Sequence, residues 1–207
     1  MRDKTALLLT LIIDFLFPPS KEALQLRSIS PENLSRGLPP ASAPSHPFIT
    51  SLFAYKNPLV SELIWSIKYK KNRHAIKLGG YSLYEKLKQK EKVILIPIPI
   101  SSKRRKERGY NQTELLIDEI MRLDTDGRLE KRFDILSKPK HIERQTLKNR
   151  KERIENMDGI FHAQFFQLNF PITLIDDVAT TGSTVKGARD TLLKAGYSNV
   201  SALTLAH

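Results

Sequence analysis

Residues 172–184 read I-T-L-I-D-D-V-A-T-T-G-S-T, and this stretch decides how the rest of the chain is interpreted. Its first four residues are apolar or β-branched, which predicts a strand buried on both faces of a parallel sheet. Two carboxylates, Asp176 and Asp177, follow where that strand is expected to end. A hydroxyl-rich loop comes next, and helical spacing of apolar residues over 185–195 then stops at Gly196. The predicted order is therefore strand, acidic pair, loop and helix.

The loop between the acids and the helix has the composition of a phosphate-binding cradle. Backbone N–H groups at the start of a helix are unpaired, and the helix dipole favours an anion there. A glycine lets the backbone approach a ligand closely, and hydroxyls add donors. The predicted cradle is Thr180, Thr181, Gly182, Ser183 and Thr184. A Walker loop would need a Gly-Lys-Ser/Thr sequence, so hydrolysis of a nucleoside triphosphate is not expected.

Two adjacent carboxylates before such a cradle suit a sugar phosphate. Asp176 and Asp177 would accept hydrogen bonds from the vicinal hydroxyls of a ribose whose phosphate lies in the loop. The plainer interpretation is an acidic strand end followed by an ordinary helix cap. The whole string resembles the phosphoribosyl-pyrophosphate (PRPP) motif of type I phosphoribosyltransferases. In that family the acids hold the ribose 2′ and 3′ hydroxyls, and the loop holds the 5′-phosphate.

Composition narrows the class of protein. The chain has 207 residues, which is enough for one core and a small appendage. It has no cysteine, so disulfides and thiolate metal sites are excluded, which fits a cytoplasmic protein. The net charge is +12, and residues 51–155 hold 26 basic and 14 acidic residues. A basic middle indicates a polyanionic ligand such as a pyrophosphate or a nucleic acid, although lysines on solvated helix surfaces are the simpler explanation for part of it.

Apolar segments elsewhere alternate between strand-like and helix-like spacing. Strands are predicted at 48–55, 93–98, 132–137 and 200–206, and helices at 58–70, 75–90 and 112–123. This alternation predicts an α/β fold, in which helices flank a parallel sheet, over residues 51–207. Residues 1–50 are predicted to be an appendage. It comprises a packed helix over 1–17, too short to span a bilayer, and a loop-rich connector over 18–50.

Two basic segments share a pattern. Residues 103–111 read K-R-R-K-E-R-G-Y-N, and residues 148–156 read K-N-R-K-E-R-I-E-N. We interpret both as cationic loops that close over one anion. Two alternatives stay open. In the first, each segment is a solvated basic loop. In the second, the two segments form a nucleic-acid patch in which each arginine binds a phosphate bidentately.

The order of several motifs resembles the ComF family of competence-associated, phosphoribosyltransferase-like proteins. The segments are L-I-I-D-F-L-F-P-P (11–19), F-A-Y-K-N-P-L (53–59), I-K-Y-K (67–70), P-I-P-I-S-S-K-R-R-K-E-R-G-Y-N-Q (97–112), R-Q-T-L-K-N-R-K-E-R-I-E-N (144–156) and the acidic string above. Natural competence imports DNA as a single strand, so the resemblance implies a role in DNA uptake. Most of the family carry a four-cysteine zinc ribbon after Pro-Pro. This chain has Ser20 and Lys21 there, so zinc is not expected.

The resemblance also implies a type I phosphoribosyltransferase-like fold with a flexible lid over 138–156. The pyrophosphate loop would follow strand 93–98. Besides the cradle, the residues predicted to bind PRPP are Lys68, Ser101, Arg104, Arg105 and Arg108. The predicted catalytic residues are Asp176, Asp177, Arg150 and Arg153. Mg²⁺ would be bound mainly by the oxygens of PRPP, with the two aspartates as candidate protein ligands.

The acceptor of a transfer reaction is not readable from the sequence, and two functions stay open. One is an active transferase of nucleotide or amine metabolism that uses PRPP and Mg²⁺. The other, which we prefer, is a PRPP-binding protein that serves competence, with catalysis left open. Single-stranded DNA would then track basic side chains, with Tyr69, Tyr110 or Phe53 stacking on bases. Competence-machinery proteins and a second copy in a homodimer are further candidate partners, and the expected location is cytoplasmic.

Overall fold

Five parallel strands form the central sheet. The structure is a computed structural model that describes residues 19–42, 46–89, 91–138 and 160–207. The strands are Ile49–Phe53 (β1), Val93–Pro97 (β2), Leu129–Lys131 (β3), Leu136–Ser137 (β4), His162–Ala163 (β5), Ile172–Val178 (β6) and Val200–Ala206 (β7). The central sheet has the order β1–β7–β6–β2–β3, and each neighbouring pair in it is parallel. Strands β4 and β5 form a separate antiparallel pair.

Several helices begin where the sequence supplies a capping side chain. The helices in the described residues are Lys21–Ser28 (α1), Pro31–Gly37 (α2), Pro58–Lys70 (α3), Arg73–Leu87 (α4), Ser102–Arg108 (α5), Gln112–Leu123 (α6) and Ser183–Lys194 (α7). The amide oxygens of Asn57, Asn72 and Asn111 accept hydrogen bonds from the first backbone N–H groups of α3, α4 and α6. Within the described ranges, no helix has both the length and the hydropathy needed to cross a bilayer.

The sheet separates two apolar clusters because successive residues of a strand point to opposite faces. Leu95 of β2 packs with residues of α3, α4 and α6, whereas its neighbour Ile96 packs with residues of α7. In β6, Ile175 belongs to the cluster on the α3 side. The alternation therefore directs Asp176 to the α7 face and Asp177 to the α3 face.

The strand order creates a topological switch point between β2 and β6. The chain continues from β2 to β3 on one side of this point, and from β6 to β7 on the other side. Helix α6 follows β2 on one face of the sheet, and α7 follows β6 on the opposite face. A crevice opens outside the carboxyl ends of two such strands, and ligands of parallel α/β proteins bind in that crevice. The fold thus brings together the segments that follow residues 97 and 178.

The predicted α/β fold with its parallel sheet is confirmed, but the predicted strand over 132–137 is wrong. Strand β3 already ends at Lys131, and β4 is a separate short strand that pairs with β5. Between them the guanidinium of Arg132 donates two hydrogen bonds of 2.8 Å to the carboxylate of Asp134 across a bend. This local pair favours a bend, whereas the apolar pattern used for the prediction carries no sign of it.

The basic segment 103–111, predicted as a loop, contains helix α5. The side chain of Ser101 accepts a hydrogen bond of 3.3 Å from the backbone N–H of Arg104 at the start of this helix. Gly109 ends it with a φ of 77°, a conformation that glycine adopts without strain. Strand β6 also runs further than predicted, to Val178, so the two carboxylates lie within the strand.

The predicted connector over 18–50 is wrong in its first half, because α1 and α2 form there. Ser20 caps α1, and Pro31 occupies the first turn of α2, where a proline needs no hydrogen-bond partner. Leu26 and Leu34 are buried in the same cluster as α3 and α4. Proline content indicated loops, but one of these prolines starts a helix instead. The predicted helix over 1–17 lies outside the described residues.

We expect Leu34→Ala to lower the free energy of unfolding by about 2–5 kcal/mol, because it leaves a cavity at a fully buried position. Leu24→Ala on the exposed side of α1 is the matched control, with an expected change within about 0.5 kcal/mol. Urea unfolding followed by circular dichroism measures both values. Equal small losses for the two variants would contradict the packing of α2 into the common core.

Candidate functional site

The candidate site lies at the switch point, where the carboxyl ends of β2 and β6 are neighbours. The loop after β6 leads through Gly182 into α7. The segment after β2 leads through Ser101 into α5, which carries five basic residues. A hydroxyl-rich loop and a cationic helix, far apart in the sequence, therefore follow adjacent strand ends.

The paired carboxylates at the end of β6 are buried. Asp176 is 8% exposed and Asp177 is 3% exposed. The backbone N–H of Asp177 donates a 2.8 Å hydrogen bond to Oδ1 of Asp176. Lys68, from the last turn of α3, places its Nζ 3.1 Å from Oδ1 of Asp177. The other oxygen of Asp177, Oδ2, is buried and has no hydrogen-bond partner among the described residues.

Burial raises the pKa of Asp176 to about 8, and the adjacent negative charge of Asp177 adds to the increase. The backbone N–H of Asp177 and the positive charges of Lys68 and Arg104 act in the opposite direction and do not cancel it. Asp176 is therefore mainly protonated at neutral pH. The two acids differ in chemical state although their sequence positions are adjacent.

In the cradle after β6, the backbone at Gly182 lies close to the side chains of His46 and Ile49. Gly182 has a φ of 72° and precedes the first turn of α7. A Cβ atom at this position would lie 2.7 Å from Cδ2 of His46 and 3.0 Å from Cδ1 of Ile49, so only glycine fits. The hydroxyls of Thr181 and Ser183 form a hydrogen bond with each other. The predicted hydroxyl residues of the cradle, Thr180, Thr181, Ser183 and Thr184, are all exposed.

The cationic residues of α5 divide into two groups. Arg105 donates to both carboxylate oxygens of Glu114 on α6, at 2.9–3.2 Å, so its charge is paired within the chain. Arg108 donates to Gln112 at 2.8 Å and lies over the ring of Tyr69 at 4.9 Å. Arg104 is exposed, and its charge lowers the pKa of Asp176.

Of the predicted site residues, the structure brings Lys68, Asp176, Asp177 and Arg104 together. The cradle follows the same strand, and Ser101 acts as the cap of α5. Arg105 and Arg108 have hydrogen-bond partners within the chain. Arg150 and Arg153 lie outside the described residues. Their predicted roles stay predictions, as do the ligand contacts predicted for the others.

Two residues near the site are not among the predicted site residues. Lys138 is half-buried, and burial together with the charge of Arg104 lowers its pKa. His46 packs against the glycine of the cradle and stacks on Phe48, with ring centroids 5.3 Å apart. Lys138 begins the segment predicted as a lid but is not itself a predicted site residue, and His46 belongs to a segment with no recognisable motif. Only packing between distant parts of the chain places them here.

Comparison with known proteins finds similar competence proteins in three bacteria. No protein-family model matches the chain. Competence protein F of Haemophilus influenzae is 33% identical over 115 residues, which are 54% of this chain and 49% of that protein. Competence protein ComFC of Bacillus subtilis is 29% identical over 167 residues, 75% of this chain and 62% of that protein. Competence protein ComFC of Streptococcus pneumoniae is 32% identical over 123 residues, 59% and 52% of the two chains. The chain is therefore similar to competence proteins over 54–75% of its length.

The chain spans between about half and 62% of the length of these ComF relatives. A solved hypoxanthine phosphoribosyltransferase from Staphylococcus aureus is 16% identical, with a TM-score of 0.36 over 70% of this chain and 62% of that chain. That likeness is too weak to argue from. The α/β fold of this chain is established by its own strand order and helix packing.

The raised pKa of Asp176 predicts a pH-dependent stability. The folded chain keeps this proton up to about pH 8, whereas an unfolded chain releases it near pH 3.8. The unfolded state therefore binds fewer protons between these values, and the free energy of unfolding falls as the pH rises through this range. We expect Asp176→Asn to remove most of the slope in urea unfolding measured from pH 5 to pH 8. Asp118→Asn, on the exposed surface of α6, is the control and should keep the slope. An unchanged slope in Asp176→Asn would contradict the burial of a neutral carboxyl.

Proposed function

We propose that the chain binds PRPP with Mg²⁺ and serves the uptake of single-stranded DNA in natural competence. The observation that carries the first half is Oδ2 of Asp177, a buried carboxylate oxygen without a hydrogen-bond partner among the described residues. Leaving such an oxygen unpaired is unfavourable, by about 1–3 kcal/mol or more for a charged group. A ribose hydroxyl is a donor that would satisfy it.

The order of groups in PRPP suits the order of candidate partners at the crevice. The sugar hydroxyls would contact the acids, and the 5′-phosphate would lie in the cradle at the first turn of α7, where unpaired N–H groups favour an anion. The pyrophosphate would extend toward Arg104, the cation of α5 whose charge acts on the acids. Each charge-assisted hydrogen bond would contribute about 1.5–3 kcal/mol.

Mg²⁺ suits this site as a companion of PRPP. Carboxylate oxygens are the protein ligands that Mg²⁺ prefers. Asp177 would supply one directly, and Asp176 would supply one after releasing its proton to the solvent. The described residues contain no group of three or more His, Cys, Asp or Glu side chains that would hold a metal ion without a ligand. Phosphate and ribose oxygens would therefore complete the coordination. Once bound, the ion neutralises charge on the pyrophosphate.

Transfer of the ribosyl group is the second step of the proposal. Breaking the C1–pyrophosphate bond leaves negative charge on the pyrophosphate, which the cations near the acids would stabilise. Binding and transfer use the same groups, so the site supports binding directly and transfer only once an acceptor is found. Pyrophosphate release in the presence of a panel of nucleophiles separates a transferase of nucleotide or amine metabolism from a protein that only binds PRPP.

Calorimetric titration with PRPP and Mg²⁺ tests the binding. We expect Asp177→Asn to weaken binding roughly tenfold to a hundredfold, because one charge-assisted contact is lost. Asp118→Asn should bind as the parent does, since Asp118 pairs with Lys131 on the surface. Circular dichroism establishes that both variants are folded. Parent-like affinity in Asp177→Asn, or no binding by the parent, would overturn the proposed PRPP site.

A second observation favours contact with single-stranded DNA. Trp65 and Tyr69 lie one turn apart on α3, are 45% and 60% exposed, and have ring centroids 6.1 Å apart. Nζ of Lys70 lies 4.2 Å from the centre of the Trp65 ring, and the guanidinium of Arg108 lies over Tyr69. Exposed aromatic rings beside cations are the components that bind unpaired bases and the phosphates between them. We call this surface the aromatic platform.

We expect Trp65→Ala and Tyr69→Ala each to weaken binding of a labelled oligothymidine roughly tenfold, because stacking contributes about 1–3 kcal/mol per base. Phe165→Ala is the control, since Phe165 is 62% exposed but packs beside Tyr197, away from α3. Fluorescence anisotropy over a range of salt concentrations measures the affinities and the electrostatic share. Equal losses for the control and the platform variants would show that the aromatic platform does not stack on bases.

A further inference from the structure

The hydroxyl of Tyr110 lies inside the last turn of α3. It accepts a 3.1 Å hydrogen bond from the backbone N–H of Lys71 and donates a 2.8 Å hydrogen bond to the carbonyl of Ile67. In an uninterrupted α-helix that N–H would donate to that carbonyl directly. The phenol hydroxyl therefore takes the place of a helical hydrogen bond, and it comes from a segment about 40 residues further along the chain.

The backbone conformation of Lys71, which ends α3, is unfavourable for a residue with a side chain. Its φ is 48°, and it is the only non-glycine residue with a positive φ in the described part of the chain. A side chain makes the left-handed conformation unfavourable, so helices usually end on glycine at such a position. The backbone N–H of Lys71 also reaches the carbonyl of Ser66. Tyr110 thus holds the last turn in a shape that the sequence of α3 alone does not favour.

The turn held by Tyr110 carries Lys68, whose Nζ pairs with Asp177. The residues that follow Tyr110 bind the other side of the crevice. The side chains of Asn111 and Thr113 donate hydrogen bonds of 3.2 and 3.1 Å to the carbonyl of Ile98, just beyond the end of β2. One short segment, 110–113, therefore ties the end of α3 to the end of β2 across the switch point.

We propose that Tyr110 is a positioning residue for Lys68. Its hydroxyl fixes the last turn of α3 so that the ammonium of Lys68 stays on one oxygen of Asp177 and leaves the other oxygen for the ligand. This inference rests on the proposed PRPP site for its effect on affinity. The geometric part, Tyr110 holding Lys68 against Asp177, stands on the contacts of the free protein.

Tyr110→Phe removes the hydroxyl and keeps the ring. We expect it to weaken binding of PRPP and Mg²⁺ about tenfold, as for one partly buried hydrogen bond that positions a charge. Tyr197→Phe is the matched control. The hydroxyl of Tyr197 also bridges two backbone groups, the N–H of Phe166 and the carbonyl of Gln164, both at 2.9 Å, but it lies beside the segment before β6. This control should lose stability without losing affinity.

A double-mutant cycle separates positioning from general loosening. If Tyr110 acts through Lys68, Tyr110→Phe should have little further effect on affinity once Lys68→Met has removed the ammonium. Additive losses would show that Tyr110 acts independently of Lys68, and would overturn the proposal. Should Tyr110→Phe fold poorly, Lys71→Gly is added to relieve the left-handed position, and the same cycle is measured in that background.

A readout in the free protein keeps the two proposals distinguishable. The carboxyl ¹³C resonance of Asp177 reports its contact with Lys68 without any ligand. We expect Tyr110→Phe to move this resonance toward its position in Lys68→Met, and Tyr197→Phe to leave it unchanged. If the parent binds no PRPP, the proposed function is wrong. The Asp177 resonance then still tests whether Tyr110 positions Lys68. An Asp177 resonance that does not respond to Tyr110→Phe overturns the positioning role whatever the affinities are.

Discussion

The ion pair between the partly exposed Lys68 and the buried Asp177 is the contact on which the arrangement of the site depends. Removing water from a carboxylate costs several kcal/mol, and a single lysine contact offsets only part of that cost. Here Lys68 reaches Asp177 from a helix on one face of the sheet, and it contacts only one of the two carboxylate oxygens. The described residues therefore pair only one of the two carboxylate oxygens of Asp177. Such an arrangement is expected where a ligand completes it.

The strand geometry gives the two adjacent acids different roles. Successive residues of β6 point to opposite faces, so only Asp177 meets the cation from α3. Asp176 is equally buried, and burial with the neighbouring charge raises its pKa to about 8. One acid is thus a charged acceptor and the other mainly a protonated group at neutral pH. Two identical side chains have been separated chemically by their surroundings, as in other sites that pair carboxylates.

The positive charge near the site is smaller than its sequence suggests. Arg105 is bound to Glu114 and Arg108 to Gln112 and Tyr69, so these arginines fix α5 to its neighbours. Arg104 remains the member of α5 whose charge acts on the acids. Arg105 and Arg108 therefore hold α5 in place, whereas Arg104 supplies positive charge at the crevice. Counting basic residues does not separate these two tasks.

The sequence by itself determined the parallel sheet, the strand–loop–helix order around the acids, and the bounds of α3, α6 and β7. Apolar periodicity and capping residues are local, so they can be read without the fold. Only the tertiary structure decided the partner of each charge, the packing of α1 and α2, and the approach of Tyr110 to α3. Those contacts join residues that are distant in the chain, and their existence depends on the order of strands in the sheet, which no local pattern encodes.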